Sequence, residues 1–121
     1  VEVLVVDAAN VVGSRPDGWW RDRAGAASRL HARLVAAALD ADVVLVVEGA
    51  ARRGPGEGSE GRVTTVHAAG SGDDAIVDVV RTLSAEGDRP VVVTADRGLR
   101  ERVAASGAGV QGPSWLLDRL P

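Results

Sequence analysis

The sequence predicts an α/β domain of three layers, α/β/α, with helices on both faces of a central, mainly parallel sheet of four to five strands. Three observations carry that prediction. The runs Val3 to Val6, Val43 to Val47, Val63 to Val66 and Val91 to Val93 are short and β-branched, without the polar alternation of a half-exposed strand, as strands buried on both faces require. Helical patterns separate these runs, and such alternation argues for parallel strands joined by crossover helices. At 121 residues the chain can bury roughly two-thirds of its unfolded surface, enough for one core, so residues 1–121 are read as a single domain.

Taken in order, each element has its own justification. Between the first two strands Ala27, Leu30, Leu34 and Ala37 share one helical face, opposite Asp22, Arg29, Arg33 and Asp40. His31 sits in this helix with no second ligand at helical spacing and reads as structural. The segment Gly49 to Gly61 holds five glycines, Pro55 and the charged Arg52, Arg53, Glu57 and Glu60, and is expected to be a disordered loop. After the third strand Ile76, Val79, Val80 and Leu83 form an apolar stripe opposite Asp74, Asp78 and Arg81. A third helix runs from about Arg97 to Ser106 and stops at Gly107. Val110 begins a short fifth strand, and Pro113 opens a last helix carrying Trp115, Leu116, Leu117 and Leu120.

Composition narrows the chemistry. With no Cys and only two His, the chain has no thiolate nucleophile, disulfide framework or histidine-rich zinc site. All 14 basic residues are Arg, so the lysine of a P-loop is missing too. The net charge of −3 does not exclude a nucleic-acid partner where charge is segregated, and Arg suits bidentate phosphate contact. No apolar run approaches the roughly 18 residues of a membrane span, so no membrane role is expected. No basic segment with a cleavage site precedes the first strand, and a cytoplasmic location is expected. Carboxylates and hydroxyls are left to carry any reaction.

In open parallel sheets ligands sit outside the carboxyl ends of the strands. Asp7 follows the first strand, Glu48 the second, Asp73 and Asp74 open the helix after the third, and Asp96 follows the fourth. Singly, each has a structural alternative: Asp96 as a helix cap, Ser71 with Asp74 as a capping box, Asp7 as a turn former. Jointly, converging carboxylates repel one another unless a hard cation neutralises them, and oxygen donors without His or Cys select Mg²⁺ or Mn²⁺. Such a site suits hydrolytic phosphoryl chemistry. Asp73 shares the sheet-facing side of its helix with Ile76 and Val80, whereas Asp74 aligns with Asp78 and Arg81; Asp73 is the better ligand, and Asp74 a supporting charge or a ligand to a second ion. Asn10, three residues beyond Asp7, either orients water or phosphate or makes a local turn. Thr94 can donate a hydrogen bond to a carboxylate or serve as an ordinary strand residue, and His67 reads as structural. Arg15, Arg21 and Arg23 flank Trp19 and Trp20, and Arg52 and Arg53 follow Glu48. This basic, aromatic rim can hold phosphates and stack an unpaired base, or be solvated surface around one packed Trp.

The ordered motifs VVDAANVVG (Val5 to Gly13), VVEG (Val46 to Gly49), SGDDAI (Ser71 to Ile76) and VVVTADRGL (Val91 to Leu99) resemble the NYN branch of the PIN-like nucleases, nearest the bacterial YacP-like members. The resemblance spans nearly the whole chain and implies a PIN-like, Rossmann-like fold. It departs from the family pattern at Ala8 in place of Gly, Glu48 in place of Asp, and Ala95 in place of Ser. It implies a Mg²⁺- or Mn²⁺-dependent ribonuclease acting on single-stranded or structured RNA, with water attacking phosphorus to leave a 5′-phosphate. Asp7, Asp73 and Asp96 would hold the ion, Glu48 would complete the cluster or orient water, and Asn10 would position water or phosphate. A homodimer is compatible with the sequence. Two alternatives stand beside this reading: a catalytically weak RNA-binding or partner-binding module of the same fold, and a metal-dependent phosphatase on small phosphate esters. A haloacid-dehalogenase-like phosphatase is disfavoured by Ala9, where its motif needs a second Asp.

Overall fold

The structure, a computed structural model, describes residues 1–121. Six strands form one sheet: β1 (Glu2–Asp7), β2 (Asp42–Val47), β3 (Gly58–Glu60), β4 (Val63–His67), β5 (Arg89–Val93) and β6 (Gly109–Gln111). Across the sheet they run β3-β4-β2-β1-β5-β6, all parallel except β3, which is antiparallel to β4. The most fully buried strand, β1, is central: Val6 of β1 lies level with Leu45 of β2 on one side and Val93 of β5 on the other.

Helices α1 (Ala8–Gly13), α2 (Arg23–Ala37) and α5 (Pro113–Leu117) cover one face, and α3 (Gly72–Ala85) with α4 (Arg97–Ala105) the other. Alternation along β1 feeds both layers, because successive side chains of a strand point to opposite faces. Leu4 and Val6 pack with Val11, Leu30, Leu34 and Leu116, while Val5 packs with Ile76, Val80, Leu99 and Val103. The helix starts are fixed by side-chain caps. Asp22 accepts from Gly25 N at 2.9 Å, Ser71 from Asp74 N at 3.0 Å and Asp96 from Leu99 N at 2.9 Å. Gly107, at φ +85, follows the last turn of α4 in the left-handed conformation that glycine adopts without penalty.

This topology makes a crevice. The chain leaves β1 towards β2 through α1 and α2 on one face, and leaves β5 towards β6 through α4 on the opposite face. Neighbouring strands whose connections diverge in this way open a cleft between their carboxyl ends. Asp7 closes β1, and Thr94 and Asp96 follow β5 at that point.

Two expectations are corrected. The sheet has six strands rather than four to five, and the segment Gly49 to Gly61, expected to be disordered, is structured. A 3-10 turn spans Gly49–Arg53, and β3 then pairs with β4 as a hairpin, with Ser59 Oγ and Thr64 Oγ1 2.8 Å apart. Of the segment's five glycines only Gly54 is required by packing, where a Cβ would collide with the Ala24 carbonyl and Ser28 Oγ of α2; Gly49, Gly58 and Gly61 sit at positive φ instead. Helix α1 also stands where sequence periodicity marks nothing, since six residues are too few to display a helical stripe. Its start is set by Asp7, whose side chain accepts from Asn10 N.

Candidate active site

Asp7 is the centre of the carboxyl edge. It is only 6% exposed, and both its oxygens are engaged: Thr94 Oγ1 donates to Oδ2 at 2.9 Å and Asn10 N to Oδ1 at 3.3 Å. Burial pushes its pKa above the ordinary 3.8, the Thr94 and Asn10 hydrogen bonds oppose that rise, and the charges of Asp73 and Glu48 add to it. Asp73, half-buried in the first turn of α3, is also raised. Its own burial comes first, then the charges of Asp96 and Glu48, with Arg102 lowering it in part and Asp74 adding a further push upward. Asp7, Glu48, Asp73 and Asp96 therefore act on one another electrostatically across the crevice.

Thr94 ties the end of β5 to the end of β1. It is fully buried, donates to Asp7, and accepts from Asp96 N at 3.1 Å, so one hydroxyl sets both carboxylate-bearing segments. Arg100 Nε donates to the Thr94 carbonyl at 2.8 Å, a contact that no sequence pattern marks. Asn10 reaches across the crevice, accepting from Ala95 N at 2.7 Å through Oδ1, which leaves its amide NH₂ turned to other partners. Asp96 combines two roles that the sequence left as alternatives, lying at the acidic edge while capping α4.

Glu48 is oriented from α3. Gly72 N donates to its Oε2 at 2.7 Å, and a Cβ on Gly72 would stand 3.0 Å from the Glu48 carboxyl carbon and from Oε1. Gly72→Ala is thus expected to leave the fold intact, with a stability change within about 1 kcal/mol, while pushing the Glu48 carboxylate aside. If Glu48 serves the reaction, turnover should fall about tenfold, since misplacement by an ångström can cost two orders of magnitude. Thermal melting together with the rate on RNA checks both halves.

Asp74 is exposed and engaged away from the other acids, in a 2.9 Å ion pair with Arg102 of α4. No three acidic or histidine side chains are gathered closely enough to hold a metal ion between them. Each of Asp7, Glu48 and Asp96 is held by a hydroxyl or backbone donor instead. The donor chemistry nonetheless fits a hard divalent cation: the crevice offers carboxylate oxygens and the Asn10 side chain, and burying mutually repelling carboxylates is unfavourable until an opposite charge arrives.

The basic and aromatic residues divide. Trp19 is half-buried and edge-on to Trp20 at 6.0 Å between ring centres, while Trp20 is 51% exposed. Arg23 lies over Trp19 at 5.0 Å and Arg21 over Trp20 at 5.8 Å. Arg52 braces its own loop by donating to the carbonyls of Gly49 and Ala68, whereas Arg53 is exposed. Arg15 shares a cleft with Arg29 and Arg33 of α2, residues that the sequence placed on a solvated face. His67 is held by the Pro55 carbonyl, 2.8 Å from Nε2, in keeping with a structural part. A cavity of about 310 Å³ opens beside Glu48, between α1, Trp19, the start of α2 and the Gly49–Arg53 turn. Its only trace in the sequence is the small residues that follow each strand.

The domain thus has three layers, with a central, mainly parallel sheet and acids at its carboxyl edge. Among solved structures the chain is similar to Rae1 (YacP) from Bacillus subtilis. It superposes on that crystal structure with a TM-score of 0.78 at 19% identity, over 98% of this chain and 72% of that one. A single-substitution variant of Rae1 gives the same TM-score at 18% identity, covering 74% of its chain. At such identity the likeness establishes the fold. No protein-family model and no curated protein matches the sequence. No helix is long and apolar enough to cross a membrane.

Proposed function

We propose that the protein is a Mg²⁺- or Mn²⁺-dependent ribonuclease that hydrolyses phosphodiester bonds in single-stranded or structured RNA, acting in the cytoplasm. The observation that carries this reading is the buried Asp7, fixed by Thr94 and electrostatically linked to Asp73 and Glu48 at the crevice between β1 and β5. Asp7, Asp73 and Asp96 would hold the ion, with Glu48 beside them. When bound, the ion supplies neutralising charge and activates water for in-line attack on phosphorus. Thr94 keeps the Asp7 carboxylate in one orientation. Glu48, pinned through Oε2, keeps Oε1 free to orient the water, and the Asn10 amide donates to a phosphate oxygen. The P–O bond to the 3′-oxygen breaks, leaving a 3′-hydroxyl and a 5′-phosphate.

Incubating the protein with labelled RNA and Mn²⁺, alongside Asp7→Asn and Asp96→Asn, tests the reading. Cleavage abolished by either substitution is expected, and cleavage that survives both overturns it. The longer Glu48 and the absence of three closely gathered acidic or histidine side chains favour one second reading, a module that binds RNA with little turnover. That module would shift RNA in a gel without cutting it.

Millimolar Mg²⁺ or Mn²⁺ is expected to raise the melting temperature, because binding only the folded state stabilises it, by about 2.7 kcal/mol at a hundredfold excess over Kd. The rise should shrink as pH falls towards 4. Asp7 and Asp73 both take up protons above the ordinary carboxylate pKa of 3.8, and each proton competes with the cation. A metal-independent melting temperature at pH 7 would remove the cation from the proposal.

A further inference from the structure

We infer that the cavity walled by Trp19 and Arg23 is a base-binding subsite, taking one unpaired base from a nucleotide next to the phosphate that is cut. The inference rests on the ribonuclease reading and adds to it where the strand lies and what part of it is gripped.

Position is the first argument. Glu48 lines the cavity, and the same carboxylate acts on Asp7 and Asp73. Ala8 and Ala9, which directly follow Asp7, form another wall. A group inside the cavity therefore lies within a nucleotide's reach of the acidic crevice. Size is the second. About 310 Å³ is at the lower end of ligand pockets, which run from roughly 300 to 1,000 Å³. It admits a ring system but not a helix or a folded peptide.

The lining chemistry gives the third argument. Alanines and glycines from α1 and the Gly49–Arg53 turn present shallow, apolar surfaces. Trp19, half-buried and stacked with the Arg23 guanidinium at 5.0 Å, adds a planar wall already held in place. Unstacked bases are gripped by aromatic rings and by guanidinium planes of this kind. A phosphate gains little in the interior, because Glu48 repels it and the Arg23 guanidinium, the one basic group of the lining, is engaged over Trp19. A neutral base suits it, since it brings no charge into a lining that is mostly apolar. Base in the cavity and phosphate at the crevice are thus two halves of one bound nucleotide.

The test uses a short unstructured oligoribonucleotide and a set of copies in which one abasic residue is walked along the chain. Binding to the Asp7→Asn protein is followed by tryptophan fluorescence, and cleavage by the unsubstituted protein is measured separately. Loss of the base at one register is expected to weaken binding about 5- to 150-fold, the range that stacking of one base supports. Trp19→Ala should weaken intact RNA by a similar factor yet leave that abasic RNA unchanged, with Trp19→Phe recovering much of the loss. Should Trp19→Ala fold poorly, Ala50→Leu fills the cavity from an exposed lining position and should reproduce the effect. Equal affinity for every abasic copy, or equal loss on intact and abasic RNA, overturns the subsite. Cleavage without base dependence sinks the subsite alone, and base-dependent binding without cleavage sinks the ribonuclease reading alone.

Discussion

Asp7→Asn is expected to lower RNA cleavage about a thousandfold while raising the melting temperature at pH 7 in the absence of metal. The activity loss follows from removing a charged ligand at the centre of the crevice, in the range that a positioned catalytic group contributes. The stability gain follows from burial. In the folded chain Asp7 is harder to ionise than in the unfolded chain, so its charge at neutral pH opposes folding. Asparagine can keep both local contacts, its Oδ1 accepting from Asn10 N and its NH₂ donating to Thr94 Oγ1. The sign has a pH signature. With the pKa raised, the stabilising contribution of Asp7 is complete below the unfolded value near 3.8 and is lost as pH rises through the folded value. The substituted protein should therefore gain over the parent at pH 7 and lose that advantage below about pH 3.8. Melting curves across this range, paired with single-turnover rates, decide it. A drop in both stability and rate at pH 7 would mean that Asp7 is chiefly a structural cap.

Thr94→Val is expected to cost about 2 kcal/mol, some 6–10 °C in melting temperature, although the two side chains are nearly equal in volume. The fully buried hydroxyl donates to Asp7 and accepts from Asp96 N, and valine leaves the buried Asp7 Oδ2 without its donor and Asp96 N without its acceptor. The Thr94 bond also holds the Asp7 pKa down against burial, so its removal raises that pKa further. The acid limb of the kcat/KM profile should then move to higher pH, because protonation of Asp7 competes with catalysis over a wider range. Thr94→Ser should restore the limb and part of the stability. A destabilised enzyme with an unmoved acid limb would show that Thr94 only joins β1 to β5.

These two residues also mark how far the sequence could be read. Short β-branched runs without polar alternation identify β1, β2, β4 and β5, because strands covered on both faces carry apolar or β-branched residues on each side. Asp7, Glu48, Asp73 and Asp96 stand out by position alone, since in a parallel sheet the residue after a strand reaches the carboxyl edge. What stayed hidden depends on partners distant in sequence. The Thr94 bond to Asp7, the Asn10 bond to Ala95 and the Asp74 pair with Arg102 join separate elements, and no spacing rule announces them. Gly58–Glu60 misled for a different reason. The glycines and charges around it describe a loop locally, and only pairing along β4 makes it a strand. Helix α1 is too short to show a period and is capped by the same Asp7 that serves the site.

The short outer strands bear on assembly. β3 and β6, the two margins of the sheet, are three residues each, and β3 is exposed and bears Glu60. A margin of that length presents few unpaired amides and carbonyls to a neighbouring chain, and a charged residue discourages stacking further. The long, valine-rich strands that would make the best fibril templates are sequestered inside, each paired on both sides. The domain is thereby protected against edge-to-edge aggregation despite its β-branched composition.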